Sequence, residues 1–537
     1  MKSILFQKIA FYLSVILVAV ACNDQLDLKP VNDVTSEKVY ATPEGYLQAL
    51  AKIYGSFATT GSGGPGSTDL PFGGDPGWSD FYRSFWKVQE LSTDEAIIAW
   101  NDPGLPDFHN LSYTPNNPFV QRIFSRPMFQ IVLCNEFIRE CADNRLERRG
   151  ITGTDAAKIK QYQQEARFLR AFQYWVLLDL FRNPPFVTEK DDVGKILPRQ
   201  TNARELYNYI ESELLDLSNG MEPPMSLEYG HADRGAAWAL LARLSLNAEV
   251  YIGEKRHIQA MEYAQKVIDA GSALTDNYQF LFRSNNDSAG IRKEFIFTIR
   301  YDGINTQTYG GGTFIVNASA SNETRDFFGI SGNNAGWSGM RTTRNLPLLF
   351  PDTGKAECPD KRAQFYTTDR DIDINSVGTY SEGWLVAKYR NTTTRGENGK
   401  NRTQEFCDID IPLFRLGEMY LIYAEADWRN GGANKSISKN YINELRKRAY
   451  GGVSQGQITE DDITEEFLIA ERGRELYWEG HRRTDLIRFN RFTEGSYLWP
   501  WKGGQKGGVG ASSHLRILPI PANEIGNNPN LKQNPIY

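Results

Sequence analysis

The long loops of this 537-residue chain carry large aromatic side chains, although loops are usually polar. Residues 59–79, 303–345, 351–412 and 495–514 are rich in glycine and proline, and loops this long in a compact chain are either functional or disordered. Their many aromatic residues argue against disorder. Aromatic rings edged by polar side chains match the C–H faces and hydroxyl rims of sugars, so the loops predict a ligand-binding face. The aromatic residues in or beside them are Trp78, Trp100, Tyr309, Trp337, Trp384, Trp499 and Trp501.

Tyr309 and Trp337 are the strongest binding candidates, because glycines flank them in "TYGGG" and "AGWSG". The competing interpretation is burial, since a tryptophan in such an aromatic chain more often packs in a core. Four tryptophans lie within helical patterns and are assigned to packing: Trp175, Trp238, Trp428 and Trp478.

Residues that could catalyse a reaction or bind a metal have simpler interpretations. Asp94 and Glu95 form an acidic pair, but Ser92 and Glu95 have the spacing of a capping box that opens a helix. The histidines show no HExxH or similar metal-binding spacing: His109, His231, His257, His481 and His514. The segment "SNNDSAG" at 284–290 is rich in oxygen-bearing side chains that could bind calcium.

The elements that must position these loops are helices. Apolar residues recur every three or four positions in segments 165–181, 234–251 and 413–428, which predicts helices that bury one face. Thr42 is the expected N-cap, and Pro43 the first residue, of a helix through "TPEGYLQALAKIYGSF". Further helices are predicted at 256–271, 435–449 and 463–488. Within the last, the charges of "ERGRELYWEGHRR" recur three and four residues apart, which predicts a solvated helix face.

Alternating small and large residues in these helices favour antiparallel pairs packed closely, as in tetratricopeptide repeats. We therefore predict a mainly α fold: a tetratricopeptide-like helical-repeat scaffold with long aromatic-bearing loops. It forms one domain over residues 42–537. The helical pairs cover about 42–58, 119–302 and 412–490, and the inserted loop regions are 59–118, 303–411 and 491–537.

The N-terminus has the features of an export signal. Residues 9–21 are apolar apart from one serine, and two lysines precede them. Thirteen helical residues rise about 20 Å, too short for a hydrocarbon core of roughly 30 Å. We predict a lipoprotein signal peptide at 1–21, lipidation of Cys22 after the lipobox-like "AVAC", and a tether at 22–41. The alternative is an ordinary signal peptide, with Cys22 an unused thiol.

Composition narrows the partners further. The formal net charge of −6 provides no basic field for a nucleic acid. No later stretch reaches the 18 apolar residues that a membrane-spanning helix requires. Cys134 and Cys141 lie about 10 Å apart along a predicted helix, too far for a disulfide, whereas Cys358 and Cys407 lie in loop-rich sequence and could pair.

Several segments together, in order and spacing, resemble the SusD/RagB family of surface glycan-binding lipoproteins. They include "ELSTDEA" at 90–96, "EARFLRAFQYWVLLDLFRNPPF" at 165–186, "RGAAWALLARLSLNA" at 234–248 and the ending "ILPIPANEIGNNPNLKQNPIY". The resemblance implies a SusD-like fold without catalytic activity. It also implies an outer-membrane location facing the cell surface and a SusC-like TonB-dependent transporter as partner. "FYRSFWKVQELSTDE" and "SYLWPWKGG" are more specifically similar to the family's starch-binding members.

The resemblance also implies site residues. Tyr309 and Trp337 match two aromatic residues that follow the curve of an α-1,4-glucan. Arg83 matches a side chain that hydrogen-bonds sugar hydroxyls, Asp75 another polar contact, and Trp100 a tryptophan beside the site.

Two positions depart from that family pattern. In the family, three aromatic residues form an arc along the curved sugar. The third aromatic residue of this arc would fall at Ile98, and an asparagine that contacts the sugar would fall at Pro103. Asn101 or Asp102 could supply the polar contact, and Trp100 could turn into the arc; otherwise the site is shallower or prefers another glucan. Asp287 matches a calcium-binding position, but its fellow ligand falls at Ala289.

The predicted function is therefore capture of starch or maltooligosaccharides and their delivery to the transporter, without a required cofactor. One alternative is a receptor for another glycan, such as a β-glucan or a fructan. A surface glycoside hydrolase would need two carboxylates about 5 to 9.5 Å apart. Four carboxylates near the predicted site leave that alternative open: Asp75, Asp94, Glu95 and Asp102. A protein-interaction scaffold without a sugar site is a third interpretation.

Overall fold

The structure is a computed structural model that describes residues 36–192, 194, 196–332, 334–351, 353, 358–400 and 405–537. The signal peptide, Cys22 and most of the tether lie outside these residues, so the predictions made for them stay predictions. Among the helices of the described ranges, none is both long enough and apolar enough to cross a membrane.

Helices form most of the regular structure. In chain order they are α1 (Ser36–Val39), α2 (Pro43–Ala58), α3 (Phe81–Glu90), α4 (Asp107–Asn110), α5 (Pro118–Glu140), α6 (Asp143–Arg148), α7 (Gly153–Phe181), α8 (Ala203–Gly220), α9 (Arg234–Leu246), α10 (Ala248–Ile252), α11 (His257–Ile268), α12 (Ala289–Arg292), α13 (Gly311–Ser319), α14 (Arg325–Phe328), α15 (Leu416–Arg429), α16 (Lys435–Ala449), α17 (Glu465–Leu476), α18 (Arg482–Arg488) and α19 (Ala522–Asn527).

Short strands join distant loops in antiparallel pairs. They are β1 (Ile97–Ile98), β2 (Pro185–Phe186), β3 (Arg199–Gln200), β4 (Phe295–Ile299), β5 (Met340–Arg341), β6 (Phe365–Tyr366), β7 (Leu385–Val386) and β8 (Ile411–Arg415). β1 pairs with β5, β2 with β3, β4 with β8, and β6 with β7. The β1–β5 pair, with Ile98 opposite Met340, fixes two loops of the candidate site against each other.

The long helices pack as a series of neighbours. α5 packs on α7, α7 on α8, α8 on α9, α9 on α11, α11 on α15 and α15 on α16. A chain of helices that each bury one face against the next is a helical-repeat scaffold. The mainly α, tetratricopeptide-like fold predicted from the sequence is confirmed.

Local signals placed two helices correctly. The Thr42 side chain accepts a hydrogen bond from the Gly45 backbone N–H at 3.3 Å, and Pro43 opens α2. Proline is tolerated there because the first N–H groups of a helix have no intrahelical partner. The bounds of α16 coincide with the predicted 435–449.

Three helix predictions need correction. The segment 463–488 is two helices, because Trp478 and Gly480 adopt left-handed backbone conformations, with φ of 63° and 81°. The predicted helix at 413–428 begins as β8 and becomes helical only at Leu416. The helix at 234–251 divides at Asn247, the residue between α9 and α10.

The solvated helix face predicted for residues 471–483 is wrong. Glu471 and Glu475 are fully buried and contact Arg362 at 2.8 and 3.2 Å. Glu475 also pairs with Arg415 at 2.7 Å and with Arg448. Although burial acts to raise it, Arg362, Arg474 and Arg446 lower the pKa of Glu471 to about 2. The charges have the three- and four-residue spacing of an exposed helix face. This face is nevertheless buried, because segments distant in sequence pack over it.

The structure also shows which tryptophans are buried and that one predicted loop region contains a helix. The four tryptophans assigned to packing lie in or against the core. Trp384 and Trp499 are buried as well, at 9% and 2% exposure, so they do not belong to an exposed binding face. The supposed loop region 59–118 contains α3, every residue of which is buried.

The cysteines form no disulfide among the described residues. Cys134 lies in α5 and Cys141 follows its last residue, in agreement with the prediction that they do not bridge. Cys407 is a buried thiol, and the thiol of Cys358 contacts the carbonyl of Pro351 at 3.2 Å. Cys358 and Cys407 therefore do not pair in this structure.

Candidate functional site

Three aromatic rings from three separate loops lie side by side. The ring centroids of Tyr309 and Trp337 are 6.2 Å apart, with planes at 50°. Those of Trp337 and Trp100 are 6.3 Å apart, with planes at 45°. All three side chains are partly buried, so part of each remains open to solvent. We call these three residues the aromatic face; their successive tilts form a curved, partly apolar surface.

Trp337 is held by the end of α13. The backbone N–H of Trp337 donates to the carbonyl of Asn317 at 2.7 Å, and that of Gly339 donates to Ala318 at 2.8 Å. Gly336, with φ of 84°, lies where an added Cβ would be 2.7 Å from the backbone of Ser321. The glycine at 336 thus permits the close approach that places Trp337.

Gly77 and Gly310 allow the segment that carries Tyr309 to pack closely against the start of α3. An added Cβ at Gly77 would lie 2.6 Å from Cβ of Tyr309, and one at Gly310 would lie 1.8 Å from the Asp80 carboxyl carbon. Asp80 caps α3 by accepting from the Arg83 backbone N–H at 2.8 Å, and it also accepts from the Gly311 N–H at 3.3 Å. Burial raises the pKa of Asp80 to about 6. "TYGGG" therefore serves close packing against α3.

Arg83 and Asp75 form an ion pair beside the aromatic face. Arg83 donates from Nη2 to Oδ2 of Asp75 at 3.0 Å and from Nη1 to the carbonyl of Tyr309 at 2.9 Å. The guanidinium also lies 5.8 Å from the Trp337 ring centroid. The Arg83 side chain is 3% exposed and that of Asp75 is 38% exposed. Asp75 is thus the more accessible of the two predicted contacts, and Arg83 fixes both Asp75 and Tyr309.

The departures from the family pattern have a structural counterpart. Ile98 is fully buried in β1, so no platform exists at the position of the third arc aromatic. Trp100, two residues on, lies against Trp337 and donates from Nε1 to its carbonyl at 3.0 Å. Asn101 and Pro103 are exposed in the loop that follows. Trp100 thus contributes a ring at the point where Ile98 does not.

Sequence inspection missed Glu405, which lies next to Tyr309 and Trp337. Its side chain is buried, and it lies close enough to Tyr309 and Trp337 for their polar groups to affect its pKa, although Nε1 of Trp337 itself donates to the carbonyl of Asn334 at 2.8 Å. Burial raises the pKa of Glu405, and the nearby Tyr309 and Trp337 side chains oppose the shift. The preceding sequence shows no motif that would have drawn attention to it. Its proximity to Tyr309, almost a hundred residues earlier in the chain, is a result of the tertiary fold.

Lys87 was missed as well, although it lies in the recognisable segment "FYRSFWKVQE". It is 1% exposed, with Nζ 4.3 Å from the Phe119 ring centroid and 5.9 Å from that of Trp78. Burial lowers its pKa well below the ordinary value. Packed against these rings, the Lys87 side chain forms part of the buried layer under the site.

The capping box predicted at Ser92 and Glu95 is wrong, since no helix begins there. The Ser92 hydroxyl donates back to the carbonyl of Val88 at 2.7 Å, at the end of α3. Glu95 accepts from the backbone N–H of Trp478 at 3.0 Å, and Asp94 pairs with Arg482 at 2.7 Å. Both carboxylates are buried in structural contacts. They offer no pair of accessible carboxylates for the hydrolase alternative.

The calcium expectation receives no added support from the donor set. Asp287 is exposed, and Ala289 has no side-chain oxygen. No group of three or more His, Cys, Asp or Glu side chains suited to a metal ion occurs within the described ranges. Calcium at Asp287 stays a prediction.

The helical-repeat fold and the solvent-accessible aromatic face are together typical of a binding protein. A model of the SusD family matches residues 363–537. The starch-binding protein SusD of Bacteroides thetaiotaomicron is 34% identical, with 96% of this chain and 96% of that protein covered. The SusD-like protein P2 of Formosa agariphila is 24% identical, with 97% and 98% covered. The chain belongs to the SusD family.

Solved structures show the same fold. A SusD-like carbohydrate-binding protein from Bacteroides fragilis has a TM-score of 0.71 at 21% identity, with 92% of this chain and all of that chain covered. Surface glycan-binding protein A from Bacteroides fluxus has a TM-score of 0.66 at 22% identity, with 93% and 100% covered. The 34% identical SusD is named as a binding protein rather than an enzyme, in agreement with the prediction that this chain is not an enzyme.

Proposed function

We propose that this protein binds starch-type α-glucans at the aromatic face, on the outer surface of the outer membrane. The observation that carries the proposal is the curved row of Tyr309, Trp337 and Trp100, with Asp75 and Arg83 beside it. Aromatic rings stack on the C–H faces of sugars, and a fixed row of them suits successive glucose units of a curved chain. The 34% identity to a protein named for starch binding supports α-glucan over β-glucan or fructan.

Because the rings are held by backbone contacts and buried charges, little ordering is required when the flexible oligosaccharide binds. Asp75 would accept hydrogen bonds from sugar hydroxyls, and Asn101 is exposed close to Trp100 for a further contact. In this proposal Cys22 carries the lipid anchor, and a SusC-like TonB-dependent transporter receives the captured sugar. Family membership supports both parts.

The test is binding of the purified protein to amylopectin, glycogen, maltoheptaose, laminarin, levan and xylan by affinity electrophoresis and calorimetry. We expect the α-glucans to bind and Trp337→Ala to weaken them at least about tenfold, which corresponds to about 1.4 kcal/mol. Trp428→Ala is the matched control, since Trp428 is another partly buried tryptophan but lies on α15.

The outcomes separate the alternatives. Binding of laminarin, levan or xylan alone would keep a glycan receptor but contradict the α-glucan assignment. Equal binding by wild type and Trp337→Ala would remove the aromatic face from the proposal. Release of reducing ends from a bound polymer would favour the hydrolase, and absence of binding to every glycan would favour the scaffold interpretation.

A further inference from the structure

A second concave region lies apart from the aromatic face. A cavity of about 460 Å³ is bounded by α2 on one side and by residues 297–302 on the other, and its lining includes none of the three rings of the aromatic face. Exposed side chains such as Leu47, Asp287 and Lys400 contribute to its lining, so it reaches the surface. Its volume is within the range of about 300 to 1,000 Å³ typical of small-ligand sites. We call it the α2 cavity.

One wall of the α2 cavity is apolar and partly aromatic. Leu47, Ala51 and Tyr54 face it from α2. The Tyr54 ring lies 5.6 Å from the His231 ring in an edge-on arrangement. Glu165 holds both rings, because its Oε2 accepts from the Tyr54 hydroxyl at 2.6 Å and lies 2.7 Å from Nδ1 of His231. This wall is therefore rigid before any ligand arrives.

The opposite wall carries hydrogen-bonding groups. Asp410 is 3% exposed, with Oδ1 accepting from the Tyr301 backbone N–H at 2.7 Å and Oδ2 from the Tyr229 hydroxyl at 2.8 Å. Each carboxylate oxygen has a further lone pair for a ligand hydroxyl. Asp302 and Asn305 also line this side. The polar groups converge on the space that faces the aromatic wall.

The charges of the lining nearly cancel. Three aspartates, at 287, 302 and 410, are opposed by Arg300 and Lys400, and Lys400 lies 3.8 Å from Asp302. A strongly charged ligand would find no matching field, whereas an uncharged molecule with hydroxyl donors and an apolar face would satisfy both walls. We propose that the α2 cavity is a second saccharide site, which binds an uncharged mono- or disaccharide independently of the aromatic face.

Gly55 provides a direct test, because it lines the cavity and an added Cβ there would meet no heavy atom within 4 Å. Gly55→Phe should fill the cavity without disturbing α2, since phenylalanine is a better helix former than glycine. Gln48→Phe adds the same ring to an exposed position of the same helix and is the matched control. Both are made in the Trp337→Ala background, where the aromatic face is impaired.

The probes are glucose, galactose and maltose, measured by saturation-transfer NMR and calorimetry on the whole protein. We expect at least one of them to bind the Trp337→Ala protein, with a loss of about tenfold in Gly55→Phe and no loss in Gln48→Phe. Tyr229→Phe, which removes the hydroxyl bonded to Asp410, should weaken the same sugar about threefold and checks the result independently of Gly55.

Two results would overturn the proposal. One is that sugar binding in the Trp337→Ala background is absent, or is unchanged by Gly55→Phe and Tyr229→Phe. The other is that calcium chloride alone binds and is lost in Asp287→Asn while no sugar depends on Gly55, which would make the cavity a cation site. Polymer binding by the protein with Trp337 intact reports separately on the proposed function.

Discussion

Glu405 is an ionisable group next to two of the three rings of the aromatic face, those of Tyr309 and Trp337. Its carboxylate lies near the polar groups of Tyr309 and Trp337, and Phe406 packs 5.2 Å from the Tyr309 ring. Burial raises the pKa of Glu405, so it takes up a proton at a higher pH than an ordinary glutamate. The charged form attracts the polar edges of these rings more strongly than the neutral form does. Ring positioning is therefore coupled to pH.

Glucan affinity should fall as pH decreases through the raised pKa of Glu405, by about fivefold, which corresponds to about 1 kcal/mol. Glu405→Gln should bind a few-fold more weakly near neutral pH and show a flatter profile. Calorimetric titration of maltoheptaose between about pH 4 and pH 8 measures both. A wild-type profile as flat as that of the variant would show that Glu405 does not position the rings.

At the level of secondary-structure elements, the backbone contacts of segment 336–339 determine how the rings of the aromatic face are brought together. Its backbone bonds the end of α13, and the carbonyl of Gly339 accepts from the N–H of Ala99 at 2.9 Å, next to β1. Trp100 follows directly, and Trp337 and Trp100 thus meet because β1 and β5 pair. The short sheet brings together two rings more than two hundred residues apart.

Gly339→Ala should weaken glucan binding about tenfold, or about 1.4 kcal/mol. An added Cβ would lie 2.5 Å from Cε2 and 2.7 Å from Cζ2 of Trp100, so the indole must move and its bond to Trp337 is strained. Gly378→Ala is the control, since Gly378 is exposed and its added Cβ meets nothing within 4 Å. Affinity for maltoheptaose and the thermal unfolding midpoint are measured together. Unchanged affinity in Gly339→Ala would show that the Trp100 position is unimportant.

Across the whole molecule, buried charges join segments that are far apart in sequence. Arg415 of β8 contacts Glu294 at 3.2 Å and Glu475 of α17 at 2.7 Å. Arg362 reaches the same glutamate, and Lys388 pairs with Glu479 at 2.7 Å. Removing one member of such a network leaves a buried charge without compensation, which costs about 3 to 5 kcal/mol.

Glu475→Gln should lower the free energy of unfolding by about 3 kcal/mol, measured by urea denaturation at neutral pH. Glu466→Gln, on the exposed side of α17, is the control and should change stability little.

The same network predicts acid sensitivity. The folded-state pKa of Glu475 lies far below its unfolded value of about 4.5, and that of Glu471 is lowered to about 2. The stabilisation is therefore complete above the unfolded pKa and is lost as pH falls toward the folded values. Unfolding monitored by circular dichroism should show wild-type stability declining below about pH 4.5 and a shallower decline in Glu475→Gln. Equal slopes would contradict this assignment.

Local sequence determined much of the scaffold. Thr42 and Pro43 set the start of α2, and the apolar repeat every three or four residues located α7, α9 and most of α15, because capping and periodicity depend on neighbours along the chain. The glycines beside Tyr309 and Trp337 permit close backbone approaches, which the sequence alone did not indicate. The site residues Asp75, Arg83, Trp100 and Asn101 were named by family resemblance, and their contribution to binding stays a prediction.

Tertiary structure alone decided which charges are buried and which rings meet. The glutamates of α17 have the spacing of a solvated face, yet Arg362 and Arg415 arrive from other segments and pair with them in the interior. Glu405 lies behind Tyr309 and Trp337 for the same reason. The sequence by itself located most of the long helices, through interactions between near neighbours. The aromatic face, the α2 cavity and the buried ion pairs depend on contacts across hundreds of residues, which no local pattern encodes.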